Sequence, residues 1–283
     1  MSLAQAGGGP VTMASAYLSK VHPVFMLPPI AAAAFGAIIA GAINPPAAAV
    51  HILAIFCSVY TAHLKDSYID YHVRGEDDTC PLTRRGCWAG IIVASLVMAG
   101  CLVLLYQLVD LWAVALTAPG WFIGYLHAPH LDTNPVTTTV GYPTGIALAI
   151  IGGYYIQVAS LSIEVVAISL VFLVLLSGVK IVDDLQDYEW DLANHKRSAG
   201  VVLGFERAHS LAIWLMGSTL GGVIILGLFG VIEPSSSLAA GVFAPILIVA
   251  RKRDPRLGTM LLIRGSYLFL AVLVAAAWWR PLG

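Results

Sequence analysis

Residues 162–191 read SIEVVAISLVFLVLLSGVKIVDDLQDYEWD. A run of roughly twenty residues, apolar but for Glu164 and Lys180 and long enough to cross a bilayer as a helix, ends in five acids within nine positions, Asp183 to Asp191. A second apolar run ends the same way, in Lys65-Asp66-Ser67-Tyr68-Ile69-Asp70. Of the 16 acidic residues in the chain, eight fall in these two segments and at Glu76. Carboxylates beside lipid are costly unless something offsets them, so both segments are functional candidates.

The surrounding composition sets the class. Hydrophobic residues make up 59% of the 283 residues and charged ones 11%, with a mean hydropathy of +0.84. Soluble domains carry about 25% charged residues, so the chain reads as an integral membrane protein. Apolar runs predict about nine transmembrane helices, near 23–43, 47–68, 88–108, 110–127, 138–157, 162–183, 209–230, 233–250 and 259–279. The expected architecture is an all-α, multi-pass bundle around a central cavity. Residues 1–19 read as a disordered lead without the basic start of a cleavable signal peptide, and 20–283 as one transmembrane domain. Fourteen of the 15 Lys and Arg fall on one side of this topology, and Arg280 falls on the other. The positive-inside rule makes that shared side cytoplasmic, with the N-terminus inside and the C-terminus outside. Both acidic segments lie there. A net charge of −1 gives no reason to expect a nucleic-acid partner.

Helical spacing sharpens the chemistry. Asp66 and Asp70 are four apart and share a face, and Asp184, Asp187 and Asp191 follow one stripe at spacings of three and four. Asp183 either joins them or pairs with Lys180. Like charges this close repel unless a cation intervenes, and an all-oxygen set suits Mg²⁺ and, through it, a diphosphate. Lys65, Arg74, Lys180, Lys196 and Arg197 are candidates for contacts to phosphate oxygens. His63 touches substrate or caps and packs its helix. Tyr154 faces a cationic intermediate or anchors at the interface. His51 is expected at the outer surface, and Gly141, Gly145, Gly152 and Gly153 at close helix contacts. Cys57, Cys80, Cys87 and Cys101 show no metal-type spacing and are assigned no role.

The second acidic segment, with Lys196-Arg197-Ser198 and Leu203-Gly204 after it, resembles the second aspartate motif of the UbiA superfamily of intramembrane prenyltransferases. That motif reads N-D-x-x-D-x-x-x-D, then K-R-T and L-G; here Asp183 replaces Asn and Ser198 replaces Thr. Lys65 to Tyr71 resembles the first motif, N-D-Y-x-D, with Lys for Asn and one residue added between the acids. Cys80-Pro81-Leu82-Thr83-Arg84-Arg85-Gly86 is similar to R-P-L-x-x-G, with Cys80 at the Arg position. Gly152-Gly153-Tyr154-Tyr155-Ile156-Gln157 resembles the G-x-Y-Y-x-Q of the menaquinone-type branch. The resemblance implies Mg²⁺-dependent transfer of an isoprenoid from a polyprenyl diphosphate to a lipid-soluble acceptor, a quinone precursor or another lipid. It also implies that Asp66, Asp70, Asp184, Asp187 and Asp191 are the catalytic metal ligands. The sequence departs from the family in one loop: His127-Ala128-Pro129-His130-Leu131-Asp132-Thr133-Asn134 carries no Lys or Arg. Either His127, His130 and Lys65 take over, or the acceptor or the reaction differs. The alternative within the superfamily is a terpene cyclase that needs no acceptor. An ion-coupled transporter fits less well, because transporter acids sit near the midplane. Oligomeric state is not legible.

Overall fold

The computed structural model describes residues 2–5, 7, 9–193 and 196–279. Arg280, on which the expected outward C-terminus rests, lies outside the described residues. Apart from a bridge between Ala4 and Leu82, the described residues form helices joined by short links. In chain order they are α1 (Pro10–Leu18), α2 (Pro23–Ile39), α3 (Pro45–Ile69), α4 (Arg84–Leu108), α5 (Leu111–Leu126), α6 (Pro135–Val158) and α7 (Ile163–Asp184). Then come α8 (Tyr188–Ala193), α9 (Ala199–Leu203), α10 (Phe205–Leu228), α11 (Ser237–Ala250) and α12 (Pro255–Trp279).

Their starting points follow from local chemistry. Asn44, Thr83, Asp110, Asn134 and Ser162 each turn a side-chain oxygen onto the orphan N–H groups that open α3, α4, α5, α6 and α7. Pro45 and Pro135 sit at first positions, where a missing N–H costs nothing.

Each expected span meets one helix, but they differ in length. Among the described residues six helices are long and apolar enough to cross a membrane, and the bent pair α1 and α2, at 69° to each other, makes up to seven. α5 and α11 have 16 and 14 residues. The expected disordered lead instead contains α1, and its first residues are packed: Ala4 is buried, Gln5 N–H donates to Pro81 C=O, and Thr83 N–H donates to Leu3 C=O.

α7 runs through the core against α6, α10 and α12, and α3 packs on α2, α4 and α5. Large exposed apolar side chains such as Leu96, Trp112, Trp214, Leu228 and Phe229 cover the outside, as expected of a lipid-facing surface. In lipid, apolar burial gives little drive between helices, so close backbone approach matters more. The contact of α2 with α6 illustrates this. A Cβ on Gly153 would lie 2.1 Å from Ala33 C=O, and one on Gly36 would lie 2.1 Å from Ile150 C=O. Gly152 is confined by the His51 ring, 2.7 Å from where its Cβ would lie, whereas Gly141 and Gly145 have open space beside them and do not make such contacts. His51 itself is fully buried, between the Thr117 hydroxyl at 3.0 Å and Ala149 C=O at 3.1 Å, and is not the surface group expected.

Candidate functional site

The C-terminal ends of α3 and α7, the start of α2 and the link from α5 to α6 meet at one end of the bundle. α3 runs straight into a π-helical turn at Asp70–Arg74. α7 ends at Asp184, a 3₁₀ turn spans Leu185–Asp187, and α8 follows. The stripe expected for Asp184, Asp187 and Asp191 is therefore broken between the first and last of them. Asp187 is exposed at the rim, while Asp191 is 6% exposed.

Beneath this rim lies a cavity of ≈ 380 Å³. Its body is apolar, with Pro28, Ile55, Val59, Ile123, Ile146 and Leu176 among its walls. Its polar lining includes His63, Asp66, His127, Lys180 and Asp183. Lys180 Nζ binds Asp184 at 2.6 Å and Asp183 at 2.9 Å, so both alternatives for Asp183 hold: it pairs with Lys180 and lines the cavity. Asp66 from the first acidic segment and Asp183 from the second line this one cavity, which brings the two segments to one site. The His63 ring meets the His22 ring at a tilt of 50°, 4.9 Å between centroids, and Tyr142 donates to Phe25 C=O at 3.1 Å beside the cavity.

Other candidates are placed differently. Arg74 is held by acids: Nη1 meets Asp132 at 2.6 Å and Nη2 at 3.2 Å, with Asp70 at 3.6 Å and Glu76 at 3.8 Å. Lys196 bonds Glu76 at 3.4 Å and lies over the Trp190 ring, linking the two loops. Arg197 is exposed. Lys65 is not among the residues lining the cavity. It is 8% exposed, with Nζ 4.6 Å from the Tyr125 ring, 5.0 Å from Trp88 and 5.9 Å from Tyr68. One step along a helix turns a side chain by about 100°, so its neighbour Asp66 faces the cavity while Lys65 faces α4 and α5. Tyr154 is at the far end of the bundle. Three residues on, Gln157 accepts from the Asn44 N–H at the start of α3, roughly 33 Å along that helix from Asp66 at 1.5 Å per residue.

Glu76 and Asp132 were not singled out as site residues by the sequence reading; only tertiary contact shows them joining the two acidic segments. With Asp66, Asp70, Asp183, Asp184, Asp187 and Asp191 they make eight carboxyl groups set against the three cations Arg74, Lys180 and Lys196. Asp66 Oδ1 and Asp184 Oδ2 are buried without any hydrogen-bond partner. Unpaired buried acceptors are costly, and an excess of hard oxygen donors is the set that divalent Mg²⁺ takes. The residues fit that ion.

No known family profile and no curated protein sequence matches the chain. Solved structures do match. A structure of digeranylgeranylglyceryl phosphate synthase superposes with a TM-score of 0.75 at 14% identity, covering 94% of this chain and 99% of that one. A UbiA homolog from Aeropyrum pernix K1 gives 0.70 at 14% identity, over 90% and 97%. A UbiA homolog from Archaeoglobus fulgidus, bound to GPP and Mg²⁺, gives 0.66 at 18% identity, over 94% and 99%. The chain therefore has the helical membrane fold of the UbiA homologs.

Proposed function

We propose that the protein is a Mg²⁺-dependent intramembrane prenyltransferase, moving an isoprenoid chain from a polyprenyl diphosphate to a lipid-soluble acceptor. One observation carries this reading: a single cavity combines an apolar body with Asp66, Asp183, Lys180, His63 and His127. That combination suits a molecule with a greasy tail and an anionic head. The fold shared with a homolog bound to GPP and Mg²⁺ supports it.

Asp66, Asp70, Asp184, Asp187 and Asp191 would hold Mg²⁺, which when bound neutralises the diphosphate leaving group and so favours C–O cleavage. Lys180 would contact phosphate oxygens from the cavity wall, and Lys196 from the rim. Arg74, paired with three carboxylates, would orient Asp70 and the Asp132 loop. The apolar walls receive the tail and keep water from the allylic carbon once it ionises. Ionisation breaks the C1–O bond and frees diphosphate; the acceptor then attacks the C1 cation, and the proton it sheds passes to the departed diphosphate or to water.

The test is product identification. Membranes containing the protein are supplied with geranyl, farnesyl or geranylgeranyl diphosphate and a panel of quinone precursors and other lipid acceptors, and products are read by mass spectrometry. A prenylated acceptor supports the reading, and unchanged acceptors throughout refute it. A second reading, terpene cyclisation, is favoured by the link 127–134, which carries no Lys or Arg and spends Asp132 on Arg74. A cyclic hydrocarbon or alcohol formed without acceptor would select it.

A further inference from the structure

Away from the acid-lined cavity, three side chains that spacing alone did not connect come together. His72 lies in the π-helical turn after α3, Cys80 in the loop that follows, and Cys87 in the first turns of α4. One ligand atom from each lies within 4.8 Å of the other two. We propose that His72, Cys80 and Cys87 form a binding site for a thiophilic divalent metal of the zinc class.

Four features carry this. First, the distances fit: thiolate and imidazole ligands around a tetrahedral ion sit about 3.5–3.8 Å apart, given metal–ligand bonds of about 2.0–2.3 Å. A site lacking the ion needs only a small contraction to reach that. Second, the imidazole is pre-set. His72 Nε2 lies 3.0 Å from Leu82 C=O, an oxygen that can only accept. Nε2 therefore carries the proton, and Nδ1 keeps the lone pair a metal needs, the arrangement by which a backbone carbonyl orients a histidine ligand.

Third, the donor set is soft. Two sulfurs and one nitrogen suit Zn²⁺ or Cu⁺ and not Mg²⁺, which separates this site from the carboxylate one. Charge then chooses between them. Two thiolates and a neutral imidazole around a divalent ion sum to zero, and around Cu⁺ they leave one uncompensated negative charge. The two thiols lie among Ala4, Leu64, Leu82 and Ile91, where a net charge is expensive. Fourth, the thiols are enclosed. Cys80 is 4% exposed and Cys87 0%, and the N-terminal segment covers them through its bonds to Pro81 and Thr83. The bound ion would fasten the segment bearing Asp70 and Arg74 to α4, a positioning role.

The test uses full-length reduced protein in detergent, without a polyhistidine tag, titrated with Co²⁺ as a spectroscopic stand-in for Zn²⁺. The wild type is expected to show a thiolate-to-cobalt charge-transfer band, as a two-cysteine site requires, that saturates at about one Co²⁺ per chain when excess Mg²⁺ fills the carboxylate site. The band should vanish in the Cys80→Ser/Cys87→Ser double variant and should weaken at least roughly tenfold in metal affinity in His72→Ala. A Cys57→Ser/Cys101→Ser variant, altering the other buried cysteine pair, should keep it. Should the cysteine variants fail to fold, wild-type protein answers alone: Zn²⁺ should protect Cys80 and Cys87, and not Cys57 and Cys101, from alkylation in the unfolding protein. No thiolate band in folded wild type, a band that survives loss of both cysteines, or equal alkylation with and without Zn²⁺ would overturn the site. So would recovery of Cys80 and Cys87 as a disulfide in protein that takes up no metal once reduced. None of these readouts depends on prenyl transfer.

Discussion

The Arg74–Asp132 pair joins the first acidic segment to the link before α6, and its strength can be worked from the geometry. Two guanidinium nitrogens meet the carboxylate at 2.6 and 3.2 Å, and the side chains are 19% and 14% exposed. Unit charges about 4 Å apart attract by ~4 kcal/mol at an effective dielectric of about 20. Desolvation and the ordering of a long side chain consume much of that. Exposed pairs retain about 0.2–1 kcal/mol, and breaking a fully buried pair costs about 3–5 kcal/mol. This pair lies between those limits, so Arg74→Gln should cost about 2 kcal/mol. Asp132→Asn should cost less, because Arg74 keeps Asp70 and Glu76. A double-mutant cycle, measured by denaturant unfolding in one detergent, should give a coupling of about 1.5 kcal/mol. Added Mg²⁺ should recover part of the Arg74→Gln loss, since that variant leaves the carboxylates with one cation fewer. A coupling below about 0.3 kcal/mol, the usual scatter between independent sites, would refute the pairing.

Three further outcomes follow from the packing. Gly153→Ala drives a methyl to 2.1 Å from Ala33 C=O and should cost at least about 3 kcal/mol as an overpacking change against unyielding backbone; Gly141→Ala, with open space, should be tolerated. Folded yield by size-exclusion chromatography separates the two, and equal yields would count against the close approach of α2 and α6. Lys65→Met should lose about 1–2 kcal/mol of stability with its aromatic contacts while leaving KM for a prenyl diphosphate within about twofold, since a uniform binding contact would appear in KM; a large rise in KM would return Lys65 to the phosphate. Tyr154→Phe should leave turnover within about twofold for want of contact with the reacting end, whereas a tenfold loss would mean that the substrate reaches much deeper than the cavity does.

The spans expected from about 47, 138 and 162 were legible: they begin within three residues of those positions, at Pro45, Pro135 and Ile163, where Asn44, Asn134 and Ser162 cap the helices. The gathering of two acidic ends was legible too, since topology puts both on one side. What escaped is what other helices decide. Lys65 stands beside Asp66 in the chain, yet Trp88 and Tyr125 capture its cation from α4 and α5. The link at 127–134 looked deficient in positive charge, and its acid turned out to take Arg74 from across the site. Ala4 pairs with Leu82, a contact no local pattern in residues 1–19 announces. Tyr154 lies near the end of α6 away from the acids, a separation that helix length alone implies.

Everything about the chemistry rests on Asp66 and Asp184 serving one bound diphosphate from two helices. Purified protein in lipid nanodiscs, given a prenyl diphosphate to which wild type responds, should release inorganic diphosphate only with Mg²⁺ present. Asp66→Asn and Asp184→Asn should each lower that release at least roughly a hundredfold, and the double variant should lose little more, as groups acting as a unit do. Near-full release from either single variant, or wild-type release that persists after chelation of divalent ions, would dissolve the shared site.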